Sequence, residues 1–255
     1  TPPDMIYVAH FEDLDKPTRT HVPAGLGRVL KNELSAGVAK IRKDAPIAFD
    51  SEPNVRKRNA IVTGYQQVRE DIVAEMETQA RDQGFNLNMD DQGGLTLYPL
   101  VEGKLLSEEE FEKLDKSFRD SLKKRSDLLM ESISGLLKRI YEEDVSFRDL
   151  EQNLDKEIMN AVLEEIFDPL AAKLMEQGGT KEVESYLGKM RKDMLDNLET
   201  FLPPDPLMPQ PMAPEGFHPQ SGEDPMVRYE VNVLVDNTDT KGAPVICEYH
   251  PTVSN

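Results

Sequence analysis

The chain has 255 residues, of which 38% are hydrophobic and 31% charged, and its formal net charge is −18. Globular proteins typically contain roughly 45–50% apolar and about 25% charged residues, so much of this chain must form solvated surface. Such a negative charge argues against nucleic acid as a partner, because a phosphate backbone is bound by clustered lysine and arginine. High charge, few aromatic residues and no tryptophan favour long helices over a sandwich or barrel.

The single cysteine, Cys247, excludes an internal disulfide and a zinc site built from several cysteines. We therefore expect a reducing, cytoplasmic setting. No run approaches the roughly 20 consecutive apolar residues that a membrane-spanning helix needs, and the first residues lack the basic-then-apolar order of a signal peptide. The sequence predicts no membrane partner. Because the first residue is Thr1 rather than methionine, we expect a processed or shortened chain.

The first fifty residues predict a strand, a loop and a helix. Residues 5–11 are β-branched and aromatic, which predicts a strand, although no hairpin partner is evident nearby. Residues 12–23 are rich in Asp, Pro and Thr and predict a loop. A helix is predicted after Pro23-Ala24-Gly25 and is expected to end at Pro46. Its apolar positions recur at spacings of three and four: Leu26, Leu30, Leu34, Val38 and Ile41.

The next segments predict a second helix and a small hairpin. Apolar residues at helical spacing cover about residues 52–83, and Gly84 follows as a C-terminal cap. The period then changes to alternation over about residues 85–100, with turn residues at Asp91-Gln92-Gly93-Gly94. This pattern predicts a β-hairpin. Glu102-Gly103 predicts a further turn.

A long helical arm is predicted over about residues 107–176. It begins with Ser107-Glu108-Glu109-Glu110, a capping-box pattern in which the serine serves as a cap rather than a nucleophile. The apolar stripe over residues 122–175 corresponds to about 80 Å of continuous helix at 1.5 Å per residue. Such a stripe with charged flanks is typical of a coiled-coil hairpin, for which the helix over 52–83 is a natural packing partner. We expect Pro169 to kink or interrupt the arm.

The remaining residues predict one more helix, a linker and a strand. Gln177-Gly178-Gly179-Thr180 closes the arm, and a last helix extends to about Leu198. Residues 201–225 contain eight prolines, which indicates an extended linker. Alternating apolar residues over 229–235 predict a strong strand that ends at Asp236-Asn237. Strands near both ends, with helices between them, suggest an insertion into a parallel sheet.

Two segments have a chemical as well as a structural interpretation. Residues 23–28, Pro-Ala-Gly-Leu-Gly-Arg, superficially resemble a phosphate-binding loop, but they lack its Gly-Lys-Ser/Thr ending, and a helix start after a loop is enough to explain them. Asp236 follows a predicted strand, as the magnesium-orienting carboxylate of an ATPase does. However, Asn237 stands where a catalytic glutamate is expected, which favours a turn.

The other residues with reactive side chains form no recognisable signature. The histidines show neither HExxH spacing nor nearby cysteine pairs, and Cys247 has no histidine near it in a catalytic pattern. We therefore predict no catalytic, cofactor-binding or metal-binding residue in this chain. The basic run Arg56-Lys57-Arg58 precedes acidic residues on the same helix and predicts a solvated mixed-charge face. The histidines are His10, His21, His218 and His250.

Several of these segments, taken together, resemble the Lon-related ATP-dependent protease family. Each pattern is weak alone, but the combination is specific, and the likeness covers essentially the whole chain. The C-terminal run is the strongest match. The matching segments are residues 7–11, the Pro-Ala-Gly-x-Gly-Arg pattern at residues 22–28, Ala48-Phe49-Asp50-Ser51-Glu52, residues 229–237, Gly242-Ala243-Pro244-Val245 and His250-Pro251-Thr252.

In that family a large helical insertion interrupts an AAA+ ATPase module, which is joined to a serine-lysine peptidase domain. The resemblance implies that residues 1–22 are a core strand and loop, 23–201 the insertion, 202–226 a Pro-rich linker, and 227–255 a core strand with its following loop. It implies ATP and magnesium as cofactors of the parent protein. The Walker A loop would precede Thr1, and the Walker B strand, arginine finger and Ser-Lys dyad would follow Asn255, so no site residue can be carried over.

The expected fold class is mainly α: a long helical or coiled-coil insertion with a small β-hairpin, flanked by short strands of an incomplete AAA+ α/β core. The expected function is non-catalytic, within a hexameric protease, and consists in admitting, gating or recognising unfolded or damaged polypeptide. Met130, Met159 and Met175 are candidates for binding apolar peptide, and the competing interpretation is that they pack the helical hairpin. The alternative function is that of a coiled-coil scaffold unrelated to proteolysis. An independent hydrolase would need a converging catalytic set that the sequence lacks.

Overall fold

The computed structural model describes residues 2–13, 16–89, 94–101, 103–106, 108–202 and 224–242. These residues form two compact units, the terminal unit (residues 1–55 and 155–255) and the central unit (residues 56–154). The predicted mainly α fold with a long helix and a small hairpin is confirmed. The elements are β1 (Asp4–Val8), β2 (Thr18–Val22), α1 (Leu26–Phe49), α2 (Glu52–Asp82), β3 (Phe85–Met89), β4 (Leu95–Val101), β5 (Lys104–Leu105), α3 (Glu108–Glu112), α4 (Lys116–Glu176), α5 (Lys181–Asp196) and β6 (Asn232–Val235).

The terminal unit contains a three-stranded sheet in the order β2-β1-β6, and both pairings are antiparallel. The prediction of a parallel sheet is therefore wrong for these strands. The prediction of a loop over residues 12–23 is wrong at β2, which is the hairpin partner that β1 was expected to lack. Of the β2 residues, Thr-Arg-Thr-His-Val, only Val22 is buried. The other four are polar, so the sequence lacks the apolar alternation that would have predicted a strand.

The C-terminal strand is shorter than predicted. Residues Pro225–Tyr229 form a 3-10 helix, and β6 begins only at Asn232. The Asp224 side chain caps this turn by accepting a hydrogen bond from the Met226 amide at 3.1 Å. Met226 and Tyr229 are both buried, so Tyr229, the first residue of the predicted alternation, belongs to the 3-10 helix and not to the strand.

Helices α1 and α5 and the C-terminal part of α4 supply most of the core of the terminal unit. All five apolar positions predicted for α1 are buried, which confirms its period. The helix extends to Phe49 with Pro46 in its last turn, so the prediction that Pro46 ends it is wrong. Proline so near a C-terminus removes only its own donor, and the Asp50 amide still bonds the Pro46 carbonyl at 3.0 Å.

The long helix α4 continues through Pro169, so the expected interruption is wrong, while the alternative of a kink stays a prediction. Ile166, Phe167 and Leu174 on either side of it are buried, and this apolar packing offsets the backbone hydrogen bond that proline cannot make. The helix ends at Glu176, and Thr180 caps the following α5 by accepting from the Val183 amide. The predicted closure of the arm at residues 177–180 is confirmed.

In the central unit α2 packs antiparallel against the N-terminal half of α4. As the residue numbers rise along α2, those of their hydrogen-bond partners on α4 fall: Tyr65 with Asp144, Glu75 with Arg139 and Gln79 with Ser132. The predicted packing partner of the arm is thus confirmed. The buried residues of this unit are Ile72, Met76, Ala80, Phe85, Leu122, Leu129, Ile133 and Leu136.

The predicted hairpin is β3 paired antiparallel with β4, and β5 adds a short third strand. Gly84, with φ of 78°, ends α2 in the left-handed region that glycine tolerates, as predicted. Several sequence predictions fall on residues outside the described part of the chain. These are most of the turn at 91–94, Glu102, the Ser107 cap, residues 203–223 of the linker, His218, Cys247, His250 and the remainder of residues 243–255.

We predict that Ile133→Ala destabilises the protein far more than Leu128→Ala on the same helix. Ile133 is fully buried in the core of the central unit, whereas Leu128 is 68% exposed. Truncation in a core costs about 2–5 kcal/mol, and an exposed substitution changes stability by less than about 0.5 kcal/mol. Urea unfolding followed by circular dichroism measures both, and equal losses would contradict the assigned face of α4.

Candidate functional site

Three segments singled out in the sequence meet around the side chain of Asp4, which is fully buried. Its Oδ2 accepts hydrogen bonds from the backbone amides of Gly25 at 2.8 Å and Gly27 at 3.1 Å. Its Oδ1 accepts one from the amide of Asn237 at 2.7 Å. A buried carboxylate is tolerated only when hydrogen bonds replace its hydration, and these three donors join β1 to the start of α1 and to the residues after β6.

Glycine is required at each of these two positions for a different structural reason. Gly25 has a φ of 87°, in the left-handed region that favours glycine. At Gly27 an added Cβ would lie 3.1 Å from both Asp4 Oδ2 and Ile6 Cγ2, closer than side chains normally approach. The Gly-x-Gly pattern therefore brings two backbone amides to a carboxylate of the same chain.

Arg28 and Asp236 form a second connection at the same junction. Arg28 donates from Nε at 2.9 Å and from Nη2 at 2.5 Å to Asp236 Oδ2. The amide and hydroxyl of Thr238 both donate to Asp236 Oδ1. The hydrogen bonds from Thr238, and then those from Arg28, lower the pKa of Asp236 to about 2, so this carboxylate stays ionised and engaged at neutral pH.

This geometry decides between the two interpretations of residues 23–28 and of Asp236. The amides of Gly25 and Gly27, which a phosphate-binding loop would present to its ligand, donate to Asp4, and α1 begins at Leu26. Asp236 leads into a turn closed by a hydrogen bond from the Thr240 amide to the Asn237 carbonyl at 3.1 Å. The helix-start and turn interpretations are therefore confirmed.

We predict that Asp4→Asn lowers the free energy of unfolding by about 3 kcal/mol, because the amide nitrogen of asparagine would face backbone donors that the carboxylate now accepts. The matched control is Asp13→Asn, since Asp13 makes only an exposed ion pair with Lys16, and exposed pairs contribute at most about 1 kcal/mol. Urea unfolding at neutral pH measures both. A similar small loss for the two variants would contradict the role given to Asp4.

A second buried carboxylate, Asp193 of α5, organises the C-terminal part of the terminal unit. It accepts hydrogen bonds from Arg228 Nη2 at 2.9 Å and from the Tyr229 hydroxyl at 2.8 Å. The Tyr229 ring packs against Phe201 with ring centroids 5.7 Å apart. The sequence prediction missed Asp193, although a signal was present: it stands beside Met194 on the apolar side of an amphipathic helix, where a buried carboxylate needs a cation or hydroxyl.

We predict that Tyr229→Phe changes how stability depends on alkaline pH. Burial, and then the hydrogen bond to Asp193, raise the pKa of Tyr229 above its ordinary value of 10. A raised folded-state pKa gives stability that is complete below about pH 10 and is lost as the pH rises, because only the unfolded state then releases its proton. Tyr229→Phe should be less stable by about 1–2 kcal/mol at neutral pH and lose less stability above pH 10.

The matched control for this comparison is Tyr7→Phe, because Tyr7 is 36% exposed on β1. Unfolding free energies of both variants and the unmodified chain are measured between pH 8 and pH 11. The same alkaline slope in Tyr229→Phe and in the unmodified chain would contradict the raised pKa of Tyr229.

The central unit carries an apolar groove of about 720 Å³ between the hairpin and the start of α4. Tyr98 in its wall is 42% exposed, and Leu105 and Phe118 nearby in sequence are 56% and 41% exposed. Its lining is largely apolar, with Lys123, Ser126 and the hydroxyl of Tyr98 as its polar members, so it suits apolar side chains. The lining residues are Phe85, Leu97, Tyr98, Pro99, Leu106, Phe111, Leu122, Lys123 and Ser126.

The three methionines proposed as peptide contacts have different surroundings. Met159 is fully buried in the core of the terminal unit, and Met175 packs against the same core. Packing is therefore the confirmed interpretation for Met159, although it packs that core and not the helical hairpin. Met130 is 38% exposed on α4, so of the three it alone presents its side chain substantially to a partner.

Two of the histidines and the basic run lie on or near different elements. His10 follows β1 and His21 lies on β2, and both line a groove of the terminal unit. Arg56 and Lys57 are exposed on α2. Within the described ranges, no group of three or more His, Cys, Asp or Glu side chains is arranged to hold a metal ion.

No family model matches the sequence, and no curated protein matches it. In the part of the chain that the structure describes, no helix has both the length and the apolar character needed to cross a membrane.

Proposed function

We propose that this chain is the helical insertion, with its flanking strands, of a Lon-type ATP-dependent serine protease, in which it serves substrate admission, gating or recognition. The supporting observation is that the segments behind the family resemblance, residues 22–28 and 229–237, meet at Asp4 despite their separation in sequence. Because both segments bond to the same side chain, we expect their sequence patterns to occur together in one protein family. In this proposal the parent is a cytoplasmic hexamer that uses ATP and magnesium, and its Ser-Lys dyad lies outside residues 1–255.

The antiparallel sheet limits how the flanking strands can serve a larger core. Strand β1 has neighbours on both sides, so further strands can pair only with the outer edges of β2 and β6. The Asp4 junction fixes the two flanking segments to each other before any other strand is added. The proposal thus treats residues 1–22 and 227–242 as one structural joint from which the helices extend.

The central unit supplies the surface for polypeptide recognition in this proposal. Unfolded chains expose apolar side chains that folded chains bury, and an apolar groove with a partly exposed tyrosine can accept them at low conformational cost. The groove of the central unit has this lining and includes a single cation, Lys123. In this proposal the groove binds polypeptide, and cleavage takes place in the separate peptidase domain.

We predict that the chain binds a dye-labelled, uncharged peptide of about ten residues composed of Leu, Phe, Ser and Asn, and that Tyr98→Ser weakens this binding about tenfold. Loss of one buried aromatic contact corresponds to about 1.4 kcal/mol, which is a tenfold change in Kd. The matched control is Tyr141→Ser, since Tyr141 is 66% exposed on α4 and does not line the groove. Fluorescence anisotropy measures all three affinities.

No binding of this peptide by the unmodified chain would contradict polypeptide recognition, and equal weakening by the two variants would contradict the groove. The scaffold alternative is tested on the parent reading frame. A Gly-rich phosphate loop before residue 1 and a Ser-Lys peptidase domain after residue 255 are expected, and their absence would leave the antiparallel helix pair as a coiled-coil scaffold.

We predict no tight binding of ATP with magnesium to this chain, because the amides of Gly25 and Gly27 already donate to Asp4. Titration calorimetry measures this directly. A tight, saturable signal that survives Asp13→Asn but not Asp4→Asn would show that the junction binds nucleotide and would overturn the structural role assigned to it.

A further inference from the structure

A basic groove of about 570 Å³ runs between β2 and the first turns of α5 in the terminal unit. Four consecutive residues of β2, from Thr18 to His21, line it. Successive side chains of a strand point to opposite faces of a sheet, so a groove that touches all four residues is lined by more than one face of the strand and includes its edge. Its lining also includes Val8, Ala9, His10, Lys181, Glu182, Ser185, Tyr186 and Lys189.

The edge of β2 beside this groove has no strand partner among the described residues. In the order β2-β1-β6, β2 pairs only with β1. The backbone groups on its outer side are therefore available to another extended chain, which is the arrangement used in β-augmentation. Strand β2 is five residues long, or about 16 Å at 3.3 Å per residue, enough to pair with a short peptide.

The groove is positively charged in a chain whose formal net charge is −18. Arg19, Lys181 and Lys189 line it, and none of them forms an ion pair with a described carboxylate. The carboxylate in the lining, Glu182, is held by hydrogen bonding to Thr180 at the start of α5, which lowers its pKa. Three positively charged side chains and one negatively charged carboxylate thus line the groove, and this excess of positive charge favours an anionic ligand.

Two polar atoms in the lining also lack partners among the described residues: His10 Nδ1 and the Tyr186 hydroxyl are buried and unbonded. Buried polar groups are normally hydrogen-bonded, so a ligand that brings carbonyl or carboxylate oxygens would satisfy them after a small side-chain rotation. The Tyr186 ring is held by stacking on Phe11 with centroids 5.7 Å apart, which fixes the position of its hydroxyl.

We propose that this groove binds an extended acidic peptide segment, which adds as a strand to the outer edge of β2. The spacing of the cations fits such a ligand. Lys181 and Lys189 are eight residues apart on α5, or about 12 Å along the helix at 1.5 Å per residue. Carboxylates at positions i and i+4 of an extended strand point to the same face about 13 Å apart.

This inference goes beyond the proposed function and is compatible with it when further core strands pair with the outer edge of β6 and leave that of β2 free. It rests on β2 and α5 of the terminal unit, whereas polypeptide recognition was assigned to the apolar groove of the central unit. The acidic peptide and the uncharged apolar peptide are therefore separate probes, and either can fail while the other binds.

The test uses the whole chain and a dye-labelled seven-residue peptide of alternating Thr and Glu, followed by fluorescence anisotropy. We expect saturable binding that Lys189→Glu weakens about tenfold, because the reversal replaces an attraction by a repulsion. Lys192→Glu is the matched control on the same helix, since Lys192 faces Asp196 and does not line the groove. Circular dichroism confirms that both variants fold.

Backbone pairing is tested separately from charge with two N-methylated peptides, one methylated at the Thr residues and the other at the Glu residues. Because alternate amides of an added strand face β2, one methylated peptide should lose binding at least tenfold while the other keeps it. Failure of the unmethylated peptide to bind, equal binding of both methylated peptides, or equally tight binding of a single-stranded oligothymidine of the same charge would each overturn the proposal.

Discussion

The terminal unit depends on one buried carboxylate. Asp4 stands on the central strand β1, and its oxygens accept from backbone amides 21, 23 and 233 residues away. A buried carboxyl group destabilises any compact fold that keeps it from water without such donors. The side chain therefore does more than add three hydrogen bonds, because it penalises any compact arrangement that buries Asp4 without bringing α1 and the residues after β6 to β1. Gly25, Gly27 and Asn237 occupy positions that this requirement dictates.

Each of the two units has a hydrophobic core of its own. The terminal core is built from α1, α5, part of α4 and the sheet, and it contains the second buried carboxylate, Asp193, with its Arg228 and Tyr229 partners. The central core consists of α2, the hairpin and the first half of α4. The basic groove lies in the terminal unit and the apolar groove in the central unit.

The helices and the hairpin could be predicted because their apolar residues repeat with the period of the element, as in Leu26, Leu30 and Leu34 of α1. Strand β2 could not, since an edge strand that buries only Val22 has no apolar alternation. The break expected at Pro169 failed because burial on both sides outweighs one lost hydrogen bond. No local signal marks the partners of Asp4, whose donors are distant in sequence. Asp193, by contrast, could have been recognised as an acidic residue on an apolar helical face.

The pairing of β1 with β6 has a consequence for how much the chain between them can vary in length. Met5 lies opposite Val235 in adjacent strands, so residues that are far apart in sequence are held side by side. The entropic cost of closing such a long loop rises by only about 0.6 kcal/mol for each doubling of its length. Residues added to or removed from the chain between these strands therefore change the cost of the pairing little.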